Sequence, residues 1–290
     1  GLLLTHEFVP LVCGPTGTGK SAFINQLLNS TLDQDKYKPI MIAFTAKTSA
    51  NATQDQVDQK LDKRRKGIYG PAFGCKAIVF VDDLNMPEVE EYGAQPPIEL
   101  LRQMVDNGGW YDTKEKDWHG LADVQLLCAM GPPGGGRNSI TPRMMRHFSI
   151  LCVSDFSSSD IKRIFLTIVD WNMKRFNFPK DLASLSASMV NATLRIYQEA
   201  QKVLLPTPKK SHYTFNLRDF SRIIQGFCLV EPYEGLDKFG MMRLWTHESS
   251  RVIMDRLMEE SDKELFMNSL GSVVEENFQT DLDTLIGFLD

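Results

Sequence analysis

Apolar residues in the first half of the chain fall in short continuous runs separated by polar stretches. The runs lie at 9–13, 40–45, 77–81, 124–130 and 147–153. Runs of this length without polar alternation are typical of parallel strands that helices cover on both faces. Helical spacing appears between them at 53–66 and at 98–105, and Pro96 with Pro97 marks the start of the second stretch. The first half is therefore predicted to be α/β, with a parallel sheet.

The pattern changes near residue 155. A polar joint rich in helix-capping residues, SDFSSSD at 154–160, is followed by sequence with helical spacing. The segment from Ser261 onward gives no definite prediction. We predict a large α/β subdomain over residues 1–154 and a smaller, all-helical subdomain over residues 155–290. Within the second, prolines that interrupt the pattern separate expected helices at 161–176, 182–205, 217–228 and 236–258.

The composition is that of an ordinary globular chain. Hydrophobic residues make up 42% and charged residues 24% of the 290 residues, which excludes disordered, collagen-like and coiled-coil classes. The net charge of −5 argues against a general nucleic-acid binder. No apolar run approaches the roughly 20 residues of a membrane span, and no basic segment precedes the apolar residues 2–4 as in a secretory signal. Because the chain begins with Gly1 rather than Met, we interpret it as part of a longer protein.

The cysteines give no sign of a metal or disulfide framework. There are five, widely spaced and without a CxxC pair, so neither a zinc site nor a set of disulfides is expected. Cys13, Cys128 and Cys152 fall in apolar runs and are predicted to be buried, reduced thiols.

The strongest functional motif follows the first apolar run. It has the form GxxxxGK[ST] between a predicted strand and a predicted helix, and it consists of Gly14, Pro15, Thr16, Gly17, Thr18, Gly19, Lys20 and Ser21. Glycines let successive backbone N–H groups converge on phosphate oxygens beside a helix N-terminus. We expect Lys20 to reach the β- and γ-phosphates and the Ser21 hydroxyl to ligate Mg²⁺. The alternative, a structural glycine-rich turn, is less consistent with the flanking strand and helix.

A second apolar run, at 77–81, ends in two acids, Asp82 and Asp83. A phosphate-binding loop of this type requires such a carboxylate for its metal. Asp82 is expected to hold Mg²⁺ through its water shell, and Asp83 to act as the base that polarises the attacking water. The alternative for Asp83 is a strand-end cap. Since no NKxD sequence for guanine occurs, ATP and ADP are the expected nucleotides.

Longer motifs extend over nearly the whole chain. They are GPTGTGKS at 14–21, KLDKRRKGIYGP at 60–71, VFVDDLNMP at 79–87, YGAQPPIELLRQ at 92–103, AMGPPGGGRN at 129–138, HYTFNLRDFSRIIQG at 212–226 and RLWTHESSRVIMDRL at 243–257. The first is generic to P-loop proteins. Together they resemble the AAA+ ATPases, and more narrowly the third AAA module of an axonemal dynein heavy chain.

The resemblance implies a fold and a setting. The fold would be a parallel five-stranded sheet in the order 5-1-4-3-2, followed by a helical lid. The setting would be a ring of AAA modules on one chain, in which the third module regulates communication with the microtubule-binding stalk without rapid turnover. The implied partners are the neighbouring AAA modules and, through the full motor, dynein intermediate and light chains and microtubules. The implied location is the cytoplasm and cytoskeleton, in the axoneme of a cilium or flagellum.

Three arginines take expected roles from the resemblance. Arg218, in FNLRD, matches the sensor 2 position, from which a lid guanidinium reaches the γ-phosphate. The alternative for Arg218 is an arginine on a helix surface. Arg143 and Arg146, in TPRMMRH, lie near the arginine-finger region, which acts on the nucleotide of a neighbouring module. Their alternative is a solvated helix end.

Two residues depart from the family's pattern. Asp83 stands where most hydrolytic AAA+ modules have Glu, and a carboxylate withdrawn by about 1.5 Å is expected to slow hydrolysis. Gly131 replaces the usual sensor 1 Asn after the fourth strand, and Asn138 is a displaced substitute. Both changes are expected to weaken hydrolysis and to spare nucleotide binding.

Two further patterns have ordinary explanations. The basic run KRRK at 63–66 is typical of a solvated face or of a contact with a neighbouring module, and nucleic acid is not the expected partner. The stripe of Met241, Leu244, Trp245 and Val252 has helical spacing and is typical of the core of the lid.

The sequence thus predicts an ATP- and ADP-binding AAA+ module of an axonemal dynein heavy chain, with Mg²⁺ and with slow or neighbour-dependent hydrolysis. A rival hypothesis is a structural module that holds ADP and does not hydrolyse ATP, which Asp83 and Gly131 favour. A third, an independent AAA+ enzyme acting on DNA or protein, is disfavoured by the acidic charge and by the dynein-like motifs.

Overall fold

The computed structural model describes residues 1–113 and 116–287. The predicted end of the helical subdomain, at residue 290, therefore lies outside the described residues. The chain divides into two compact units, the first over residues 1–155 and the second from Phe156 onward. Within the described ranges, none of the helices combines the length and the apolar character that a membrane span needs.

The first unit is built on a parallel sheet. The strands in chain order are β1 (Val9–Cys13), β2 (Tyr37–Ala43), β3 (Asp62–Arg65), β4 (Ile68–Gly70), β5 (Lys76–Asp82), β6 (Gly109–Tyr111), β7 (Trp118–Leu121), β8 (Val124–Met130) and β9 (Phe148–Cys152). Five of them form this sheet, in the spatial order β2-β5-β8-β1-β9 with parallel pairing throughout. Counted along the chain within this sheet, the order is 5-1-4-3-2, which confirms the predicted topology and the α/β class.

Helices cover both faces of this sheet. They are α1 (Leu2–Thr5), α2 (Lys20–Gln26, continued by a π-helical turn over Leu27–Thr31), α3 (Ala50–Asp58), α4 (Pro96–Asn107) and α5 (Pro142–Met145). Alternate residues of a strand point to opposite faces, so Val79 and Val81 of β5 pack in one cluster with α3 and α4. Ile78 and Phe80 of the same strand pack in another with α1 and α2. The central strand is therefore buried on both sides, as its continuous apolar run predicted.

The edge strand β9 departs from that pattern. Among the described residues its one strand partner is β1, and Ile150, Leu151 and Cys152 are exposed. The prediction that Cys152 is buried is therefore wrong, because an apolar run does not distinguish an edge strand from a central one. Cys128 on central β8 is buried as predicted, and burial raises the pKa of its thiol. Cys13 is half-buried.

A second, smaller sheet corrects one predicted helix. Its spatial order is β3-β4-β7-β6. The helix expected over 53–66 ends at Asp58, and β3 pairs antiparallel with β4 across a turn that contains Gly67. Gly67 adopts a φ of 72°, which suits glycine in a tight turn. Helix propensity is a weak preference even for good helix formers such as Lys and Arg, and in this basic stretch the hairpin with β4 overrides it.

Arg64, in the basic run 63–66, is not solvated. Its side chain is 9% exposed, its Nε donates to the carbonyl oxygen of Pro71 at 2.9 Å, and its guanidinium pairs with Asp123. We expect Arg64→Ala to lower the free energy of unfolding by about 1–3 kcal/mol, because both acceptors lose their donor. The exposed neighbour Arg65 is the matched control, and Arg65→Ala should change stability by less than about 0.5 kcal/mol. Urea denaturation of both variants measures this, and equal losses would contradict the assignment.

The second unit is helical, as predicted. Its helices are α6 (Ser158–Arg175), α7 (Lys180–Ala183), α8 (Ser186–Val203), α9 (Leu217–Cys228), α10 (Lys238–Ile253), α11 (Glu260–Phe278) and α12 (Leu282–Ile286). The helix predicted over 182–205 is divided between α7 and α8. The helix predicted over 236–258 ends at Ile253 and is followed by a 3₁₀ turn. Helices α11 and α12 occupy the segment from Ser261 onward, for which no definite prediction was possible.

The core of the second unit contains the apolar stripe found in the sequence. Met241, Trp245 and Val252 of α10 are buried in it, and Leu244 packs against it. Helix α9 packs against α10 and begins with a capping box, in which Asn216 and Asp219 exchange side-chain and backbone hydrogen bonds. The burial of the stripe on α10 confirms the prediction that these residues belong to the core of the second unit.

Candidate nucleotide-binding site

The glycine-rich loop at 14–21 joins β1 to α2. Gly17 and Gly19 have φ angles of 89° and 79°, a left-handed conformation that side chains disfavour. Gly19 is also the N-cap of α2. The two glycines thus lie where the backbone requires a left-handed conformation.

The ammonium group of Lys20 lies within this loop. Its Nζ donates to the carbonyl oxygens of Gly14 and Pro15 at 2.8 and 2.6 Å and approaches the Thr18 hydroxyl at 3.3 Å. The Thr18 hydroxyl donates to Pro15 at 2.9 Å, and Thr18 is buried. Lys20 is therefore held against the loop by neutral acceptors, which leaves its charge uncompensated by the loop itself.

The acids predicted for the site follow directly on β5. Asp82 is the last residue of the strand, and its Oδ1 accepts a hydrogen bond from the backbone N–H of Asp83 at 3.0 Å. Asp83 adopts a φ of 52°, a left-handed conformation that turns the chain sharply. The carboxyl ends of parallel strands meet at one edge of a sheet, so both acids lie at the edge where the loop leaves β1.

Electrostatics connects the loop to these acids. Burial lowers the pKa of Lys20, and the positive charge of Arg137 lowers it further. The charges of Asp83 and Asp82 oppose this shift. Two cations and two carboxylates thus form one group of interacting charges at the carboxyl edge of the sheet.

Arg137 is a residue of this group that the sequence reasoning missed. Its Nη2 donates to Oδ1 of Asp83 at 3.2 Å, and its side chain is 18% exposed. It follows a glycine turn just beyond β8, the strand that pairs with β1, and an arginine at that place was the signal available in the sequence. The side chain of Asp83 is thus engaged by an arginine rather than by backbone N–H groups that it would cap.

Asn138 has a different role from the one expected. Its Nδ2 donates to the carbonyl oxygen of Pro87 at 2.7 Å, and its backbone N–H to Asn85 at 3.0 Å. Asn85 is buried and donates to the carbonyl oxygen of Gly131 at 2.9 Å. Asn138 therefore connects its loop to the segment after Asp83 by two hydrogen bonds. Because its amide Nδ2 is engaged there, Asn138 does not replace the sensor 1 side chain.

The remaining predicted arginines have distinct surroundings. Arg218 lies in the first turn of α9 in the second unit, and its side chain is exposed. Arg143, on the short helix α5, is also exposed. Arg146 pairs with Asp106 at 2.8 Å, so its guanidinium is already engaged inside the first unit. The two finger candidates thus differ in that Arg146 is paired with Asp106 within the first unit.

A parallel sheet ordered 5-1-4-3-2, with a phosphate-binding loop after its first strand, is the arrangement of AAA+ modules, which are of ATPase type and bind nucleotide through that loop. Comparison with known families agrees. A family model described as P-loop containing dynein motor region matches residues 1–156, and one described as AAA+ lid domain matches residues 189–288. The chain belongs to the dynein motor-region family.

Curated relatives extend this assignment over nearly the whole chain. It is 46% identical to human (Homo sapiens) dynein axonemal heavy chain 12 over 288 residues, 99% of this chain and 9% of the relative. It is 48% identical to mouse (Mus musculus) dynein axonemal heavy chain 3 over 285 residues, 98% of this chain and 7% of the relative. Human dynein axonemal heavy chain 1 is 47% identical over 286 residues, 95% of this chain and 7% of the relative. The chain thus spans less than a tenth of the length of these relatives.

Proposed function

We propose that this chain binds ATP and ADP as the third AAA+ module of an axonemal dynein heavy chain, and that it hydrolyses ATP slowly or with help from a neighbouring module. The observation that carries the proposal is the placement of the Lys20 ammonium group against the loop between β1 and α2, where it interacts with the charges of Asp82 and Asp83. This arrangement supplies a cation for phosphate oxygens and carboxylates for a metal and for water.

The proposed metal ligands have suitable chemistry for Mg²⁺. Ser21 offers a hydroxyl oxygen at the start of α2, and Asp82 offers a carboxylate whose Oδ1 is fixed by the Asp83 backbone. Mg²⁺ prefers such oxygen ligands and retains several waters. When bound, the ion would neutralise charge on the β- and γ-phosphate oxygens. We propose Ser21 and Asp82 as the residues that hold it.

Different residues of the chain are proposed to take different roles in ATP cleavage. Lys20 and the backbone of the loop bind the phosphates, and Asp83 accepts the proton of the attacking water. Arg218 is proposed to act as sensor 2, reaching the γ-phosphate from the lid. The hydrogen bond from Arg137 to Asp83 occupies one carboxylate oxygen. The side chain of Asp83 is one methylene shorter than that of Glu, so its other oxygen lies farther from the attacking water. Both effects support slow hydrolysis.

The wider setting is proposed from the relatives. The module would sit in a ring with other AAA modules of the same heavy chain and would regulate microtubule-based ciliary movement. Arg143 would act on the nucleotide of a neighbouring module. Intermediate and light chains and microtubules would be partners of the full motor, in the cytoskeleton of the axoneme.

A direct test of the site is to denature the purified chain and to identify any released nucleotide by chromatography. Recovered ADP or ATP supports the proposal. If none is released, calorimetry with Mg²⁺-ADP decides, and the absence of binding at millimolar nucleotide would overturn the assignment of the loop.

Asp83→Glu is expected to speed ATP cleavage. The longer side chain restores the reach of the carboxylate, and since a misplacement of about 1 Å can cost roughly 100-fold, we expect a gain of about 10- to 100-fold in single-turnover rate. Asp83→Asn is the matched variant and should abolish cleavage while it keeps nucleotide. If Glu is no faster and Asn no slower than Asp, the carboxylate is not the base.

The rival function, a module that holds ADP without hydrolysis, is favoured by a separate observation. The sensor 1 position is Gly131, and the nearby amide of Asn138 is engaged by Pro87. Retained ADP, with no single-turnover cleavage in the original chain or in Asp83→Glu, would support this rival over slow hydrolysis.

A further inference from the structure

The turn that carries Arg137 folds back toward the end of β8. Gly134, Gly135 and Gly136 all have positive φ angles, of 117°, 58° and 86°. The backbone N–H and carbonyl groups of Gly134 and Arg137 bond to one another in both directions, at 3.0 and 3.2 Å. This turn is tight and internally paired, so it fixes where the side chain of Arg137 begins.

The guanidinium of Arg137 fills the space left by a missing side chain. Gly131 follows directly on β8 and is buried. A Cβ atom at position 131 would lie 2.8 Å from both Cζ and Nε of Arg137, which is closer than real contacts allow. Arg137 can therefore adopt this position only because residue 131 is glycine.

The position also leaves Arg137 with unused hydrogen-bonding capacity. Its Nη2 bonds to Asp83, but its Nε is buried and has no hydrogen-bond partner among residues 1–113 and 116–287. A guanidinium has five N–H donors in a fixed plane, which suits bidentate binding of phosphate. Its charge also acts on the nearby ammonium of Lys20, and two cations brought together in this way favour an anion between them.

We propose that Arg137 binds the terminal phosphate of a nucleoside triphosphate in this chain's own site, from the space that Gly131 leaves at the end of β8. The inference rests on the proposed function of the loop at 14–21 and deepens it. Asp83 orients the guanidinium, and the terminal phosphate is the group that distinguishes a triphosphate from a diphosphate. Arg137 therefore adds to the preference of this site for a triphosphate over a diphosphate.

The test measures Mg²⁺-ADP and a non-hydrolysable Mg²⁺-ATP analogue separately, by calorimetry on the whole chain. Arg137→Ala is expected to weaken the ATP analogue by about 10-fold or more, the loss of one charge-assisted contact, and to change ADP affinity by less than about 3-fold. Arg137→Lys keeps the charge but loses the planar fork, so its loss should be intermediate. Gly131→Ala should act in the same direction as Arg137→Ala, because the added methyl displaces the guanidinium without removing it.

Arg65→Ala is the matched control, since it removes an exposed arginine of the same unit, and it should bind both nucleotides as the original chain does. Melting temperatures show whether each variant is folded. Equal losses for ADP and the analogue, or no loss for either in both Arg137→Ala and Gly131→Ala, would overturn the inference and leave the proposed function standing. If the original chain binds neither nucleotide, the proposed function fails and the inference fails with it.

Discussion

Lys20→Ala is expected to abolish nucleotide binding, with a loss of at least about 100-fold in ADP affinity. The ammonium group lies inside the loop, held by the carbonyl oxygens of Gly14 and Pro15, and these neutral acceptors leave its charge for phosphate. A hydrogen bond between charged groups contributes about 1.5–3 kcal/mol, and two of them to phosphate oxygens correspond to roughly 100-fold or more in the dissociation constant. Calorimetric titration with Mg²⁺-ADP measures the loss.

The control for Lys20→Ala must separate a lost phosphate contact from a collapsed loop. Lys36→Ala removes a lysine whose side chain is 73% exposed and pairs only at the surface with Asp33, so it should bind ADP normally. Lys20→Arg keeps a positive charge in the loop but does not fit the same acceptors, and it should bind more weakly than the original chain. Unchanged ADP affinity in a folded Lys20→Ala variant would remove the loop from the site.

The sequence predicted the phosphate loop well because its requirements are local. Gly17 and Gly19 provide left-handed conformations within a few residues of Lys20, and no distant contact is needed to explain them. The positions of Asp82 and Asp83 at the end of β5 could be predicted for a similar reason, since both follow a buried apolar run. Features that depend only on neighbouring residues, such as this loop, can be predicted from the sequence alone.

Arg137 could not be predicted in the same way. Its position depends on three features that are distant in the sequence or invisible in it: the carboxylate of Asp83, the absent side chain of Gly131, and the path of a glycine turn. By sequence alone, Gly131 marks a missing sensor 1 asparagine, and Asn138 is the first amide after it along the chain. In the structure the same glycine makes room for a cation, and the apparent loss changes the chemistry of the site.

The fold shows the same division between local and distant causes. The bounds of β1, β8 and α9 were predicted to the residue, because each has an uninterrupted pattern and clear ends. The basic stretch that forms β3 was predicted as helix, because spacing alone does not reveal the Gly67 turn that pairs β3 with β4. The ion-pair partner of Arg64, Asp123, lies far along the chain. Helix α11 was missed although Phe266, Leu270, Val273 and Val274 have helical spacing.

Trp245→Ala is expected to give the largest loss of stability in the second unit, about 3–5 kcal/mol. Trp245 is fully buried, its Nε1 donates to the Thr193 hydroxyl at 2.9 Å, and its ring meets that of Phe278 edge-on at 5.2 Å between centroids. Truncation removes the ring and leaves a cavity that the surrounding core fills only in part. The midpoint of urea denaturation, followed by circular dichroism, measures the change.

Two further tryptophan variants show whether packing is the cause. Trp245→Phe retains a ring but loses the indole N–H, and because the Thr193 hydroxyl still donates to Met189 at 2.7 Å, we expect a smaller loss of about 1–2 kcal/mol. Trp171→Ala removes a ring that is 57% exposed and should cost less than about 1 kcal/mol. Only a buried ring leaves a cavity when it is removed. Equal losses of stability in Trp171→Ala and Trp245→Ala would therefore contradict the conclusion that burial of Trp245 stabilises the second unit.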